Sequence, residues 1–254
     1  MPMILDAFRI DGKVALVTGG TKGIGGAIAQ ALAEAGADVA VVSRQGDPGI
    51  EKAILSTGKR YFHYPADLTK RNETRTVIPA VLQKMDKLDI LVNNAGICPR
   101  APVLDFSEAD WDTTLEINLT ANFILSQGAA KLMVKKKQGK IITVASILAF
   151  QGGINIPAYT ASKHGLVGLT KAFSNAWAGE GINVNAIAPG YFATGFTKAL
   201  QEDKDRYDLI QKRIPAGRWG VPNDIAGAVV FLASSASDFI HGTIMPVDGG
   251  WLAW

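Results

Sequence analysis

Three side chains in this 254-residue chain have the types and spacing to move a proton together. Tyr159 and Lys163 stand four residues apart, which places them on one helix face about a turn from each other. Ser146 lies thirteen residues before Tyr159, just beyond an apolar run that ends at Ala145. A free phenol titrates near roughly pH 10, too high for a base at neutrality. A neighbouring ammonium favours the phenolate, so Lys163 is expected to lower the Tyr159 pKa. Tyr159 would then exchange a proton with a hydroxyl or carbonyl oxygen of a bound molecule, while Ser146 hydrogen-bonds and polarises that oxygen. The same spacing also occurs as plain packing, a half-buried ring beside a snorkelling amine. The elements around the pair must therefore decide between the two.

Those elements alternate along the chain. Short apolar, β-branched runs at 14–18, 38–43, 61–64, 89–93, 140–145, 183–188 and 243–247 are separated by longer stretches of helical spacing at 24–35, 72–85, 111–136, 158–178 and 222–232. The pattern predicts an α/β fold: a single-domain, Rossmann-like, doubly wound, seven-stranded parallel sheet with helices on both faces. No Pro/Ser-rich linker, charge block or internal repeat divides residues 1–254, so one domain is expected. Residues 191–213, after the turn Pro189-Gly190, are polar and weakly periodic, and read as a mobile lid over a site.

The first strand runs directly into the first helix through Thr18-Gly19, with further glycines at Gly23 and Gly25. A dinucleotide needs a tight turn, close backbone approach to its pyrophosphate, and a helix N-terminus whose free N–H groups favour negative charge. Gly19, Thr21, Lys22, Gly23, Ile24 and Gly25 are the candidate cradle. The second strand ends at Ser43-Arg44, with no acid to bind ribose hydroxyls. Arg44, helped by Lys22, could instead pair with a 2′-phosphate, which favours NADP(H) over NAD(H). Two solvated loop cations remain the plain alternative.

Composition narrows the field further. Hydrophobic residues make up 48% and the net charge is only +3, so a sizeable core is available and nucleic acid is not an expected partner. The cluster Lys135 to Lys137, with Lys131 and Lys140, sits where a helical pattern ends, as cations do at helix C-termini. Cys98, the one cysteine, cannot form an intramolecular disulfide or the usual cysteine metal site, and no metal is expected. No run approaches a membrane span and residues 1–10 lack a signal-like pattern, so a cytoplasmic protein without membrane partners is expected.

The glycine turn, Asn93-Asn94-Ala95-Gly96, Asn118, Ser146, Tyr159 with Lys163, Pro189-Gly190 with Thr194, and Val247-Asp248-Gly249-Gly250 occur in the order of the classical short-chain dehydrogenases, which the chain resembles over almost its whole length. The resemblance implies a hydride-transferring oxidoreductase. It implies that Asp67 and Leu68 lie against the adenine, and that Asn94, Ala95, Gly96, Pro189, Gly190 and Thr194 line the cofactor cleft. It also implies that Asn118 holds a water in a proton relay from Lys163, and that four copies assemble through the 158–178 helix and the last strand.

A narrower likeness at 4–8, 150–153, 214–220 and 249–254 resembles the 2-deoxy-D-gluconate 3-dehydrogenase (2-dehydro-3-deoxy-D-gluconate 5-dehydrogenase) branch. It implies a small hydroxylated carboxylate as substrate. Arg100 is then the candidate for the carboxylate, and Gln151 and Asn155 for sugar hydroxyls, beside Ser146. His164, one residue past Lys163, is off that face and reads as structural. Two other readings stay open: a 3-oxoacyl-carrier-protein or other carbonyl reductase of the same family, and a non-catalytic NADP(H) sensor.

Overall fold

The structure, a computed structural model, describes residues 3–253. Met1, Pro2 and Trp254, which the leader and tail readings included, lie outside the described residues. Strands Val14–Thr18 (β1), Asp38–Ser43 (β2), Tyr61–Pro65 (β3), Ile90–Asn93 (β4), Gly139–Val144 (β5), Ile182–Pro189 (β6) and Ile244–Val247 (β7) form one sheet in the order β3-β2-β1-β4-β5-β6-β7. Every pairing is parallel. The expected fold is the one observed.

The sheet is buried on both faces because its strands are apolar on both, and the period of two sorts their side chains. Ala15, Val17, Val39, Val41, Val92 and Ile142 face one layer, with Ile28, Leu32, Val229 and Leu232 from the helices Gly23–Glu34 (α1) and Ala226–Ala233 (named α9 below). Val14, Leu16, Ala40, Val42, Leu91 and Ile141 face the other, with Val77, Val81, Leu125 and Met133. The chain winds outward from β1 toward β3, then from β4 toward β7. Its switch point lies between β1 and β4, where open α/β sheets open a crevice beyond the strand C-termini.

The remaining helices are Pro48–Leu55 (α2), Arg71–Met85 (α3), Glu108–Leu115 (α4), Ala121–Lys136 (α5), Pro157–Trp177 (α6), Lys198–Glu202 (α7) and Lys204–Arg213 (α8), followed by α9. Three features go beyond the expected elements. The helix expected over 111–136 is continuous from Glu108 to Lys136 but contains a π-helical turn at Glu116–Thr120, which divides α4 from α5 and which Arg71 grips through Glu116 at 2.8 Å. Helix α2 was not expected because it buries little besides Ile54. Its start was legible nonetheless: Asp47 accepts from the Gly49 and Ile50 amides, and Pro48 occupies the first turn. The weakly periodic stretch 191–213 carries α7 and α8, with Leu200 and Ile210 buried against Ile147, Trp219 and Trp251. A 3₁₀ turn at Pro222–Ile225 precedes α9.

The lysine cluster ends a helix as expected. Lys135 and Lys136 occupy the last turn of α5, and Lys137 closes it in the left-handed region. Among the described residues, no helix is long and apolar enough to cross a membrane and no cluster of metal-ligating side chains occurs.

Candidate active site

The glycine turn and the end of β4 are laced together across the switch point. The Asn94 and Ala95 amides donate to Thr18 Oγ1 at 2.9 and 3.0 Å, and Asn94 Nδ2 donates to the Thr18 and Gly19 carbonyls at 2.8 and 3.2 Å. Thr18 was not among the expected site residues, although its place just before Gly19 was the available signal. Gly19 and Gly23 have φ of +63° and +55°, the left-handed region that glycine enters without penalty. A Cβ on Gly25 would lie 2.2 Å from the Gly19 carbonyl oxygen and 2.3 Å from Asn94 Nδ2. Lys22, at the helix N-cap, makes no side-chain cap, so the first amides of α1 are not taken by it, and Thr21 is buried beneath the turn. This concave backbone, with a helix N-terminus at its end, fits the pyrophosphate of a dinucleotide.

At the next two strand ends, Arg44 is exposed, and no carboxylate lies within ion-pairing distance of it among the described residues. Ser43 is already engaged: its hydroxyl donates to the Gln45 carbonyl at 2.7 Å and lies 3.0 Å from His63 Nε2. Asp67 binds the Thr69 hydroxyl and amide at 2.8 and 3.0 Å, and these bonds, with lesser help from Lys70 and Arg44, hold its carboxyl below the usual range. Leu68 is buried beside it.

Ser146 follows β5 and caps a short 3₁₀ turn at Ile147–Ala149, accepting from the Leu148 amide at 3.1 Å. Pro157 opens α6, so Tyr159 and Lys163 sit on its first two turns, as the spacing required. The Tyr159 ring stands 6.0 Å from that of Phe196, beyond β6, and Lys163 Nζ lies 5.4 Å from the Tyr159 ring centre. Lys163 Nζ donates to the Val144 carbonyl at 2.8 Å.

The expected direction of the Tyr159 shift is corrected. Burial pushes the Tyr159 phenol up, out of the ordinary tyrosine range, and Ser146 and Arg100 only partly offset it. Burial pushes the Lys163 ammonium down to about 8. Both shifts come first from loss of solvation, and Lys163 directs one of its three N–H donors to the Val144 carbonyl. The Cys98 thiol, raised by burial, also lies near Lys163 and Arg100.

Asn118 is fully buried in the π-helical turn and its carboxamide is used within the chain. It accepts from the Ile97 amide at 2.9 Å and donates to the Ile97 carbonyl and to Ser162 Oγ at 3.0 and 3.1 Å. A Cβ on Gly96 would lie 3.0 Å from Asn118 Oδ1, so that glycine admits the contact. Asn118 thus ties the end of β4 to α6.

Pro189 ends β6, and a Cβ on Gly190 would lie 2.8 Å from the Asp248 Cα, so the turn bends tightly against the tail. Thr194 reaches back over the glycine turn, 3.7 Å from where a Gly23 Cβ would stand. Arg100 is exposed, and Asn155 holds a left-handed φ of +60° with its carbonyl accepting from Ala101. Gln151 is committed: Trp251 Nε1 donates to its Oε1 at 2.8 Å, a partnership across 100 residues that no local pattern announces. His164 Nδ1 bonds the Thr160 carbonyl on the exposed side of α6, as a structural residue would.

A family model described as enoyl-(acyl carrier protein) reductase matches residues 19–252. The chain is 47% identical over 252 residues to the 2-dehydro-3-deoxy-D-gluconate 5-dehydrogenase of Escherichia coli, covering 99% of this chain and 100% of that one. It is 48% identical over 254 residues to the Bacillus subtilis protein of the same name, each covered completely. Among solved structures, a gluconate 5-dehydrogenase from Burkholderia cenocepacia in complex with NADP and tartrate superposes with a TM-score of 0.95 at 38% identity, covering 99% of this chain and 100% of that chain.

Proposed function

The chain belongs to the short-chain dehydrogenase/reductase family, and from that premise we propose that it interconverts a secondary alcohol and a ketone on a small sugar acid of the 2-deoxy- or keto-deoxy-gluconate type. The observation that carries this reading is that the glycine cradle after β1 and Ser146 after β5 both lie beyond the C-terminal ends of central strands, with Tyr159 and Lys163 on the first two turns of α6. A protein bound to tartrate, itself a hydroxylated carboxylate, supports the substrate class.

Gly19 to Gly25 would hold the pyrophosphate of NADP(H), with NAD(H) the second choice, and Arg44 would pair with the 2′-phosphate. When bound, its nicotinamide accepts or supplies the hydride. Ser146 hydrogen-bonds the substrate oxygen. Tyr159 removes the proton of an alcohol or returns one to a ketone, and its raised affinity for that proton keeps it in the donor form until substrate and cofactor complete the site. Lys163, whose ammonium burial pushes down to about 8, stands 5.4 Å from the Tyr159 ring centre and is the cation that would favour the phenolate as the proton leaves. Asn118 holds α6 in register through Ser162. The chain works as one domain with 191–213 as its lid, as a homotetramer through α6 and β7, in the cytoplasm.

The test is a panel of sugar acids, keto-deoxy acids and acyl β-keto thioesters, each followed by the absorbance of the reduced nicotinamide with both cofactors. Turnover of the keto-deoxy and sugar acids is expected. Turnover confined to the thioesters would make the protein an acyl reductase of the same family, and tight cofactor binding with no turnover would make it a sensor.

A further inference from the structure

Helix α8 carries Arg206, Ile210 and Arg213 at spacings of four and three, which is one helical face. Ile210 is buried with Ile147, Trp219 and Trp251, while Arg206 beside it is half-buried and Arg213 is exposed. Arg213 lies over the Trp251 ring at 4.0 Å, and Tyr207 stacks on Trp219 at 5.1 Å. Tyr191, just beyond Pro189-Gly190, completes the cluster, 4.7 Å from Trp251 and 5.3 Å from Trp219. Burial raises the Tyr191 phenol, and three guanidinium groups, those of Arg206, Arg100 and Arg213, pull the other way. Ile147, the residue after Ser146, packs in this same cluster, which sets it next to the proton-transfer residues.

Arg9, Arg60, Arg71 and Arg218 each pair with a carboxylate, whereas among the described residues Arg100, Arg206 and Arg213, like Arg44 and Arg75, do not. Asp203 accepts only the main-chain amide of Arg206. Arg206 Nε is buried with no hydrogen-bond partner, an arrangement a native chain keeps where something else supplies the acceptor. Guanidinium groups match a planar carboxylate with paired donors, and neighbouring like charges gain further when an anion sits between them.

We propose that Arg206 and Arg213, together with Arg100 and against the Tyr191 ring, form the site that receives the substrate carboxylate and set the preference for acids over neutral sugars. The proposal rests on the sugar-acid reading above. It makes α8 a specificity element: the lid delivers the charge that reads one end of the substrate while Ser146 and Tyr159 hold the other.

The experiment measures kcat/KM for a keto-deoxy sugar acid and for a neutral hydroxyketone of equal length, in wild type, R206Q, R213Q and the double variant, with melting curves and NADPH binding on each. In each single variant the acid-to-neutral ratio is expected to fall about 10- to 100-fold, the scale of a lost charged hydrogen bond, mainly through KM for the acid. Arg206→Lys and Arg213→Lys should restore part of it, which a merely structural role would not do. Should R206Q lose its cooperative melt, R213Q and R100Q carry the same comparison. A wild type that prefers acids and variants that keep that preference would overturn the arginine assignment alone. A wild type with no preference for acids would remove the sugar-acid reading, and this proposal with it.

Discussion

Tyr159 and Lys163 share a helix face but not the electrostatics their spacing suggests. An ammonium one turn away ought to ease ionisation of the phenol, yet burial moves each group toward its neutral form. The proposed chemistry survives this, because a tyrosine that keeps its proton is a competent donor to a ketone oxygen. Tyr159→Phe is expected to lower turnover by about 10² to 10⁴-fold while leaving NADPH binding in place, checked by steady-state kinetics and fluorescence titration. The buried amine also has a signature in stability. In the folded chain Lys163 releases its proton near pH 8, and in the unfolded chain near the ordinary lysine value of 10.5. Between those values the unfolded state binds more protons, so stability rises with pH, while below about 8 both states are charged and the cost of burial is fully present. Tyr159 acts oppositely above the ordinary tyrosine range, where the folded chain keeps a proton that the unfolded chain has lost. Urea titrations should therefore show the wild type gaining on Lys163→Met between about pH 8 and 9.5; a flat difference would mean that the amine carries no desolvation cost. Arg44→Asp is expected to reverse the cofactor preference by placing a carboxylate where the 2′-phosphate belongs, read as the ratio of kcat/KM with NADPH and NADH. Equal use of both cofactors by the wild type would count against that role.

At the scale of elements, the strands were legible nearly to the residue, because parallel strands buried on both faces are continuous apolar runs that little else imitates. Helices were legible where one face is buried over several turns, as in α1, α3 and α6, and less so where a helix is short or bent. The π-helical turn between α4 and α5 carries Asn118, which reaches across to Ile97 and Ser162, contacts made with other elements and invisible in the local spacing. The glycine turn is the element on which the cofactor site depends. Gly25→Ala would bring a methyl against both the Gly19 carbonyl and Asn94 Nδ2, so the backbone would have to open. Loss of cofactor binding, with a fall in melting temperature, is the expected result; an alanine variant that binds NADPH like the wild type would show that the cradle is not closed in this way.

At the scale of the whole molecule, the C-terminal segment gathers parts distant in sequence. Asp248 accepts from the Gly250 and Leu252 amides, its Cα lies against Gly190, and Trp251 holds Gln151 while lying under Arg213. A site assembled from so many segments gains rigidity from association, and the exposed aromatic edges of Phe123 and Phe239 are available to it. Light scattering on the purified chain should give the mass of four copies, and a monomer would remove the proposed tetramer. What the amino-acid sequence determined by itself is whatever is local: the strand and helix periods, the glycine spacing that a pyrophosphate requires, and the single helical turn from Tyr159 to Lys163. What only the tertiary structure decided is whatever depends on distance between segments and on loss of water: the sign of the Tyr159 shift, the commitment of Gln151 to Trp251, and the seating of Arg213 over Trp251, whose ring also meets Tyr191. Periodicity is written along the chain, whereas solvation and charge proximity exist only once the chain has closed on itself.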